Sequence, residues 1–525
     1  MEASIQTDVT KQVKAAPILI SLLLGCFIGM FSETALNIAL PELMKQLQVG
    51  PTTIQWLTTG YMLVLGILGP VSGLLLQWFT TRQLFIASLS FSTLGSLIAG
   101  LAPNFEVLLA ARFFQAAGLA LLLPLMLNAI LILFPPERRG AAMGLMGLVL
   151  TFAPASGPTI AGLIIEKLSW HWIFWISSSV LLIALITGII FLKNISVITR
   201  PKIDILSLVL STIGFGSLLF GFSKAGESGW GSMLVISFLM IGVLALILFT
   251  WRQFSVASPL MNLRTFRYPM FSLSVVLFIV VMMLLLSSML LLPILLQNGL
   301  GKSALQAGLL LLPGTLISGI MAPFMGKIFD KYGPRRLIIP GLILIGVTMF
   351  FFSTITVDSS TMFIVALHCL FLLALSMVMM PGQTNGMNQL PAEYYPHGTA
   401  IMSTLQQVAG AIGSALAMTM LAAGQSSYLQ DKGFDMSNGI NLAQPDPAIF
   451  VHLPSSFVFG IKDAFIFAGF MTILALVISL FMKHVKTSEQ KNRIKSTNKL
   501  RSREPMPLMV STSDCLIAVI HFSCS

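Results

Sequence analysis

The sequence predicts an all-α membrane protein that crosses the bilayer fourteen times, and three observations carry that expectation. Of its 525 residues 56% are hydrophobic and only 9% charged, with a mean hydropathy of +0.91, far from the composition of a soluble globular domain. The apolar residues run continuously for about 20 positions at a time, as helices that close their own hydrogen bonds in lipid require, and do not alternate as in a β-barrel. The basic residues gather in the connections between runs, on one side far more than the other.

Span one, 17–41, follows the polar segment MEASIQTDVTKQVKAAP, which lacks a small-residue cleavage site and is therefore expected to stay. Spans two to six, 53–76, 84–102, 107–133, 141–166 and 172–192, are separated by short polar or Pro- and Gly-containing connections. Spans seven and eight cover 204–222 and 232–251. The last six are 270–296, 304–327, 337–356, 362–387, 398–423 and 461–482. With a cytoplasmic N-terminus, 23 of the 30 Lys and Arg residues fall in cytoplasmic loops and tails. Lys45, Lys167, Lys224, Lys302, Lys432 and Lys462 fall outside, and Arg112 lies within a span. That bias places both termini in the cytoplasm and requires an even number of spans. The net charge of +11 thus reads as a topology signal, not as a nucleic-acid surface.

The segment GLLLQWFTTR after span two aligns with GKIFDKYGPR after span ten, with Gly73 and Gly326 each nine residues before Arg82 and Arg335. Two homologous six-helix bundles with a helix pair inserted between them follow from this repeat. The expected organisation is a cytoplasmic N-tail (1–16), an N-terminal bundle (17–192) and a linker with two extra helices (193–251). A C-terminal bundle (252–482) with a mobile extracellular loop at about 424–460 follows, then a basic cytoplasmic C-tail (483–525). The tail's apolar stretch CLIAVIHFSC is too short to span.

Every carboxylate but Glu33 falls in a loop, a tail or a span terminus. Glu33 lies about two thirds of the way along span one, with Asn37 on the next turn. A charge at such depth costs roughly 2.5–3.5 kcal/mol, so intramembrane acids ordinarily have a partner and a function. Binding and releasing a proton is the functional reading; a permanent pairing that only holds helices together is the other. Arg112 in span four sits at comparable depth. It is either the partner of Glu33 or a helix staple that bonds Gln115, Asn128 or backbone carbonyls. In span five, Gly144, Gly147, Pro154, Gly157, Pro158 and Gly162 allow close packing and bending. Gln383, Asn385, Asn388 and Gln389 in span twelve, with Gln406 and Gln407 in span thirteen, are polar candidates for a substrate cavity, and equally for interhelical hydrogen bonds. Among 30 Met and 37 Phe residues, mostly packing or lipid-facing, some are expected to line that cavity, where soft side chains suit ligands of several shapes. His368 is an isolated polar residue in the apolar first half of span twelve, and the four cysteines have neither metal-ligand nor disulfide spacing.

Several of these segments resemble the major facilitator superfamily, specifically its fourteen-span drug:proton antiporters, and among them the lincomycin-resistance exporters. APASGPTIAG resembles the antiporter motif of span five, ETALNIALP from Glu33 the span-one motif, which usually opens with Asp, and RFFQAAG from Arg112 the span-four motif whose arginine is implicated in proton coupling. GKIFDKYGPRR resembles the cytoplasmic gating motif, with Gly326, Asp330, Gly333, Arg335 and Arg336 in place. PLMNLRTFR, WHWIFWI, MMPGQTNGMNQLP and HGTAIMSTLQQVAGAIG are also similar, and the likeness runs from about 17 to 482. The N-terminal copy of the gating motif keeps Gly73 and Arg82 but has Gln77 in place of the usual acid and Thr80 in place of Gly. Where the family's acid caps a neighbouring helix, Gln brings no charge, which implies a weaker inner gate in the first half and a larger share for Asp330.

The resemblance implies a major facilitator fold and proton-coupled efflux of small lipophilic compounds or antibiotics, with Glu33 and Arg112 in proton coupling and Asn37, Gln115 and Asn128 beside the span-twelve and span-thirteen residues at the substrate cavity. It implies a monomer in the bacterial plasma membrane, surrounded by lipid, with the proton as coupling ion and neither metal nor organic cofactor. Export of a dedicated lipid, peptide or metabolite fits the same fold. No HExxH, GxSxG or Walker segment speaks for an enzyme or an ATP-driven pump. Duplicated bundles with a single buried acid disfavour a channel.

Overall fold

The computed structural model describes residues 15–192, 194–195, 198–434 and 447–485. The first 14 residues, residues 435–446 of the expected loop and the tail from 486 on, with its CLIAVIHFSC stretch, lie outside the described residues. Among the described residues, fourteen helices are long and apolar enough to cross a membrane. They are α1 (Ala15–Leu47), α2 (Trp56–Trp78), α3 (Thr81–Gly100), α4 (Phe105–Leu133), α5 (Arg139–Lys167), α6 (His171–Phe191), α7 (Ile205–Ser228) and α8 (Met233–Ser255). The rest are α9 (Pro269–Ile294), α10 (Ala304–Tyr332), α11 (Arg335–Phe352), α12 (Thr361–Met387), α13 (Tyr395–Asp431) and α14 (Pro447–Leu480). Thr80 with Gln83 and Ser303 with Gln306 form capping boxes that start α3 and α10, and Asn104 caps α4 through the Val107 N–H.

In the first half α1 packs on α5, α6 and α4, α3 on α4 and α6, and α2 on α4. In the second, α9 packs on α13, α12 and α14, α10 on α12, α11 on α12 and α14, and α13 on α14. Two long seams join these groups, α5 with α10 and α2 with α13. Each seam sets the second helix of one group against the fifth of the other. The inserted α7 and α8 pair with each other, and α7 lies on both α2 and α13, so it covers the second seam.

The polar stretch from Gly424 to Gly460 is not all loop. Helix α13 continues to Asp431 and α14 begins at Pro447, a residue suited to a first helical turn. Sequence polarity there marks departure from an apolar phase, whereas AAGQSSYLQD contains no proline, and its one glycine is used for packing, so helix persists until Gly433, whose φ of +87° turns the chain. Gly424 meets the backbone of Gly460, where an added Cβ would lie 2.6 Å from the Gly460 Cα.

Candidate functional site

The centre of the first half is a buried arginine. Arg112 on α4 is 0% exposed. Its Nε donates to the Leu57 carbonyl (3.3 Å), and its Nη1 to the Ser32 carbonyl (3.1 Å), the Ser32 hydroxyl (3.2 Å) and Gln115 Oε1 (3.0 Å). Gln115 in turn donates to Ser96 Oγ at 2.9 Å. The guanidinium lies over the Tyr61 ring at 4.1 Å, and the Tyr61 hydroxyl donates to the Gly29 carbonyl. Burying a cation costs several kcal/mol, and here four acceptors and an aromatic face, together from α1, α2 and α4, offset it. Nη2 is buried without a partner among the described residues. Glu33, next along α1 from Ser32, is half-buried and lies within electrostatic reach of Arg112, yet no ion pair joins the two. Asn37, one turn on, is exposed. The arginine is therefore a staple and at the same time a fixed positive centre beside an acid it does not bind.

Helix α5 is pressed against α1 at this acid. Pro158 has no N–H, so the Pro154 carbonyl loses its intrahelical donor; the Thr34 hydroxyl, adjacent to Glu33, supplies one at 2.8 Å. One residue before Pro158, a Cβ on Gly157 would collide with Thr34 Oγ1 and come within 2.9 Å of the Ala35 N. Pro154, Gly157 and Pro158 thus act together as a docking point for the turn of α1 that carries Glu33. Gly162 takes no part in it, since a Cβ there would meet open space.

At the basic end of the molecule the two halves meet through α5 and α10. Asp330 accepts the Gly140 N–H with one carboxylate oxygen (2.8 Å) and the Ala141 N–H with the other (3.0 Å), capping the first turn of α5 from across the seam. Gly326, one turn before, lies so close to Gly140 that a Cβ would strike the Gly140 carbonyl. Arg139 Nη1 donates to Asn388 Oδ1 on the α12 terminus at 2.9 Å. Gly333, with φ +80°, makes the turn into α11, and Arg336 lies over the Tyr332 ring. Arg335 donates to the Met482 (2.6 Å) and Leu480 (3.0 Å) carbonyls at the end of α14, and its counterpart Arg82 donates to the Ile189 carbonyl (2.9 Å) at the end of α6. Both arginines serve the C-terminus of the last helix in their own half, the favourable place for a cation.

The repeat breaks at Gln77. Its Nε2 donates to the Gly73 carbonyl of its own helix (2.9 Å), so no side chain at this position caps α13. Gly73 nonetheless brings α2 onto α13, where a Cβ would lie 2.9 Å from the Ala400 Cβ and 3.1 Å from the Pro396 carbonyl oxygen.

The cavity candidates divide. Among the described residues Asn128 Oδ1 and Gln383 Oε1 are buried acceptors without a hydrogen-bond partner. Gln406 and Gln407 are half-buried on α13. Gln115 is engaged with Arg112, and Asn388 with Arg139. Asn385 holds the segment after α14 through the Lys483 carbonyl (3.1 Å) and the Val485 N–H (3.2 Å), while Gln389 accepts the Met270 and Phe271 N–H groups at the start of α9. All four serve as ties between elements, Gln115 through its bond to Ser96 on α3. Among residues not singled out from sequence, Tyr61 carries a detectable signal, the one tyrosine that falls inside a predicted span. Ser32, Thr34 and Arg139 carry none, because their roles depend on which carbonyls face them. Among the described residues no group of three His, Cys, Asp or Glu could hold a metal ion.

Residues 22–414 match the family model described as Major Facilitator Superfamily. Lincomycin resistance protein LmrB of Bacillus subtilis (strain 168) is 57% identical over 91% of this chain and 98% of its own length. The protein of the same name from Listeria monocytogenes is 52% identical over 91% and 98%. Among solved structures, the human organic anion transporter MFSD10 (TETRAN) aligns over 89% of this chain and 100% of its own with a TM-score of 0.59 at 12% identity. The proton:xylose symporter XylE gives 0.58 at 15% identity over 91% and 98%, a likeness of fold.

Proposed function

Since the chain belongs to the major facilitator superfamily, we propose that it is a proton-driven exporter of lipophilic antibiotics, with a lincosamide among its cargo and Glu33 as the proton carrier. The drug-export part rests on near full-length similarity to lincomycin resistance proteins. The coupling part rests on one observation: Glu33 is half-buried beside a guanidinium that is held by other acceptors and does not pair with it. A fixed cation whose position does not depend on the acid leaves the acid free to exchange a proton, and the change of charge at Glu33 is then felt where α1 docks on α5 through Thr34.

With the basic end in the cytoplasm, the Asp330 cap closes the inner side while the opposite end exchanges cargo and proton. Release of the proton inward resets the cycle. Each charge that crosses 100 mV carries about 2.3 kcal/mol, which sustains roughly a 50-fold gradient of a neutral compound. Asn128 and Gln383 offer acceptors to the cargo, and a single chain suffices as the working unit.

The test is lincomycin uptake into inside-out vesicles driven by a pH gradient, with wild type and Glu33→Gln at matched expression. Uptake abolished by a protonophore and by the substitution is expected. Uptake that persists in Glu33→Gln would remove Glu33 as carrier, and absence of uptake for lincomycin and several other drugs would favour a dedicated cargo.

A further inference from the structure

Between the halves, the Asp330 carboxylate caps α5 at the basic end of the α5–α10 seam, whereas Gln77, at the equivalent place in the α2–α13 seam, caps nothing across it. The segments that lead into and out of the inserted helices gather at that vacant place. Before α7, the Thr199 and Arg200 N–H groups donate to the Gln77 carbonyl (3.1 and 3.3 Å), and Trp78 Nε1 donates to the Pro201 carbonyl (2.9 Å). Arg200 is held at φ +46°, a conformation that L side chains rarely adopt and that persists only where the surroundings impose it.

Asp204, at the start of α7, takes a two-pronged bond from Arg252 on α8, with Nε to Oδ2 at 2.9 Å and Nη2 to Oδ1 at 3.2 Å, and also accepts from Ser207 Oγ at 2.7 Å. Gln253, the next residue on α8, donates to Ser207 Oγ (2.7 Å) and accepts the Met261 N–H (3.1 Å). After Met261, the Asn262 N–H donates to His397 Nδ1 on α13 at 3.3 Å. A run of hydrogen bonds and short chain segments therefore starts on the last turn of α2, in the first half, and ends on the first turn of α13, in the second.

We propose that the inserted helix pair is a clasp across the basic end of the α2–α13 seam, in which Asp204, Arg252 and Trp78 are positioning residues that hold the halves together where Gln77 provides no charge. The pair then has a task in the transport cycle: this seam opens only when the clasp yields, while the other opens on release of Asp330. The inference rests on the exporter reading for its meaning in turnover, but its test needs neither cargo nor proton gradient.

Spin labels at Phe79→Cys and Glu393→Cys, both exposed, report the width of the seam by pulsed electron resonance in a background with the native cysteines replaced. In Arg252→Gln the population at the longer distance should rise about two- to five-fold, and Trp78→Phe, which keeps the ring but removes the N–H donor, should shift it in the same direction. If Arg252→Gln fails to accumulate, Arg252→Lys carries the same test with a smaller rise. An unchanged distribution in the Arg252 variant overturns the proposal, and so does a rise that Trp78→Phe does not share. Both results are readable whether or not Glu33→Gln transports lincomycin, so the two readings fail separately.

Discussion

Replacing Asp330 by Asn should open the α5–α10 seam at its basic end. The carboxylate accepts two backbone N–H groups with separate oxygens, at 2.8 and 3.0 Å, on the first turn of α5, where the helix dipole is positive. Asparagine retains one acceptor and turns its amide hydrogens toward the other N–H, so one bond and the charge–dipole attraction are lost together. A hydrogen bond to a charged group contributes about 1.5–3 kcal/mol net, and a charge at a helix N-terminus about 0.3–1 kcal/mol. The site is only partly buried, and solvent screening reduces both, leaving about 1–2 kcal/mol. That corresponds to a rise of roughly 5- to 30-fold in the ratio of open to closed molecules. Distances between spin labels at Arg138→Cys and Lys331→Cys, exposed on either side of the seam, measure the ratio directly. A change smaller than two-fold would refute the cap as the element that holds this seam.

Three further outcomes follow from the described contacts. Thr34→Val leaves the Pro154 carbonyl without a donor and should lower stability by about 1 kcal/mol, read as a lower melting temperature of the detergent-solubilised protein. Gly157→Ala should cost more than that, because its methyl group meets both Thr34 and the α1 backbone; Gly162→Ala, with open space around it, should leave the melting temperature unchanged. The hydrogen bonds from Arg252 and Ser207 hold the Asp204 carboxyl below the usual carboxylate range. Its contribution to stability is therefore complete above about pH 4, the unfolded value, and is lost as the pH falls through the lower folded value. Melting temperatures of wild type and Asp204→Asn should differ by a constant amount between pH 6 and 8 and converge in acid.

The fourteen spans were legible because lipid forces each crossing to be a continuous apolar helix, and the spacing of Gly73 with Arg82 and Gly326 with Arg335 marked equivalent positions in two halves, though not the helices they meet. The depth of Arg112 relative to Glu33 could be counted along the helices. That the two do not pair could not, because it depends on Ser32, Leu57 and Gln115 reaching the guanidinium first. Pro158 announced a carbonyl in need of a donor, but only the fold identifies Thr34 as its source. Polarity misled at Gly424–Gly460, where helix persists beyond the apolar stretch, and the ties made by Asn385 and Asn388 are invisible without knowing what faces α12. The connection at 194–204 looked like plain linker, since its bonds to Gln77 and Trp78 are made chiefly through backbone groups.

The meeting of Gly140 with Gly326 bears on speed as much as on strength. At this end of the seam the helices touch main chain to main chain, at Gly140 with Gly326 and Gly144 with Ala322, so here they separate without side chains to unthread. What remains to be broken is a small set of directional bonds at Asp330 and Arg139, each of which water can replace as it leaves. Such a joint can be firm at equilibrium and still quick to part, and a larger residue at either glycine would trade that quickness for a gap that no longer closes.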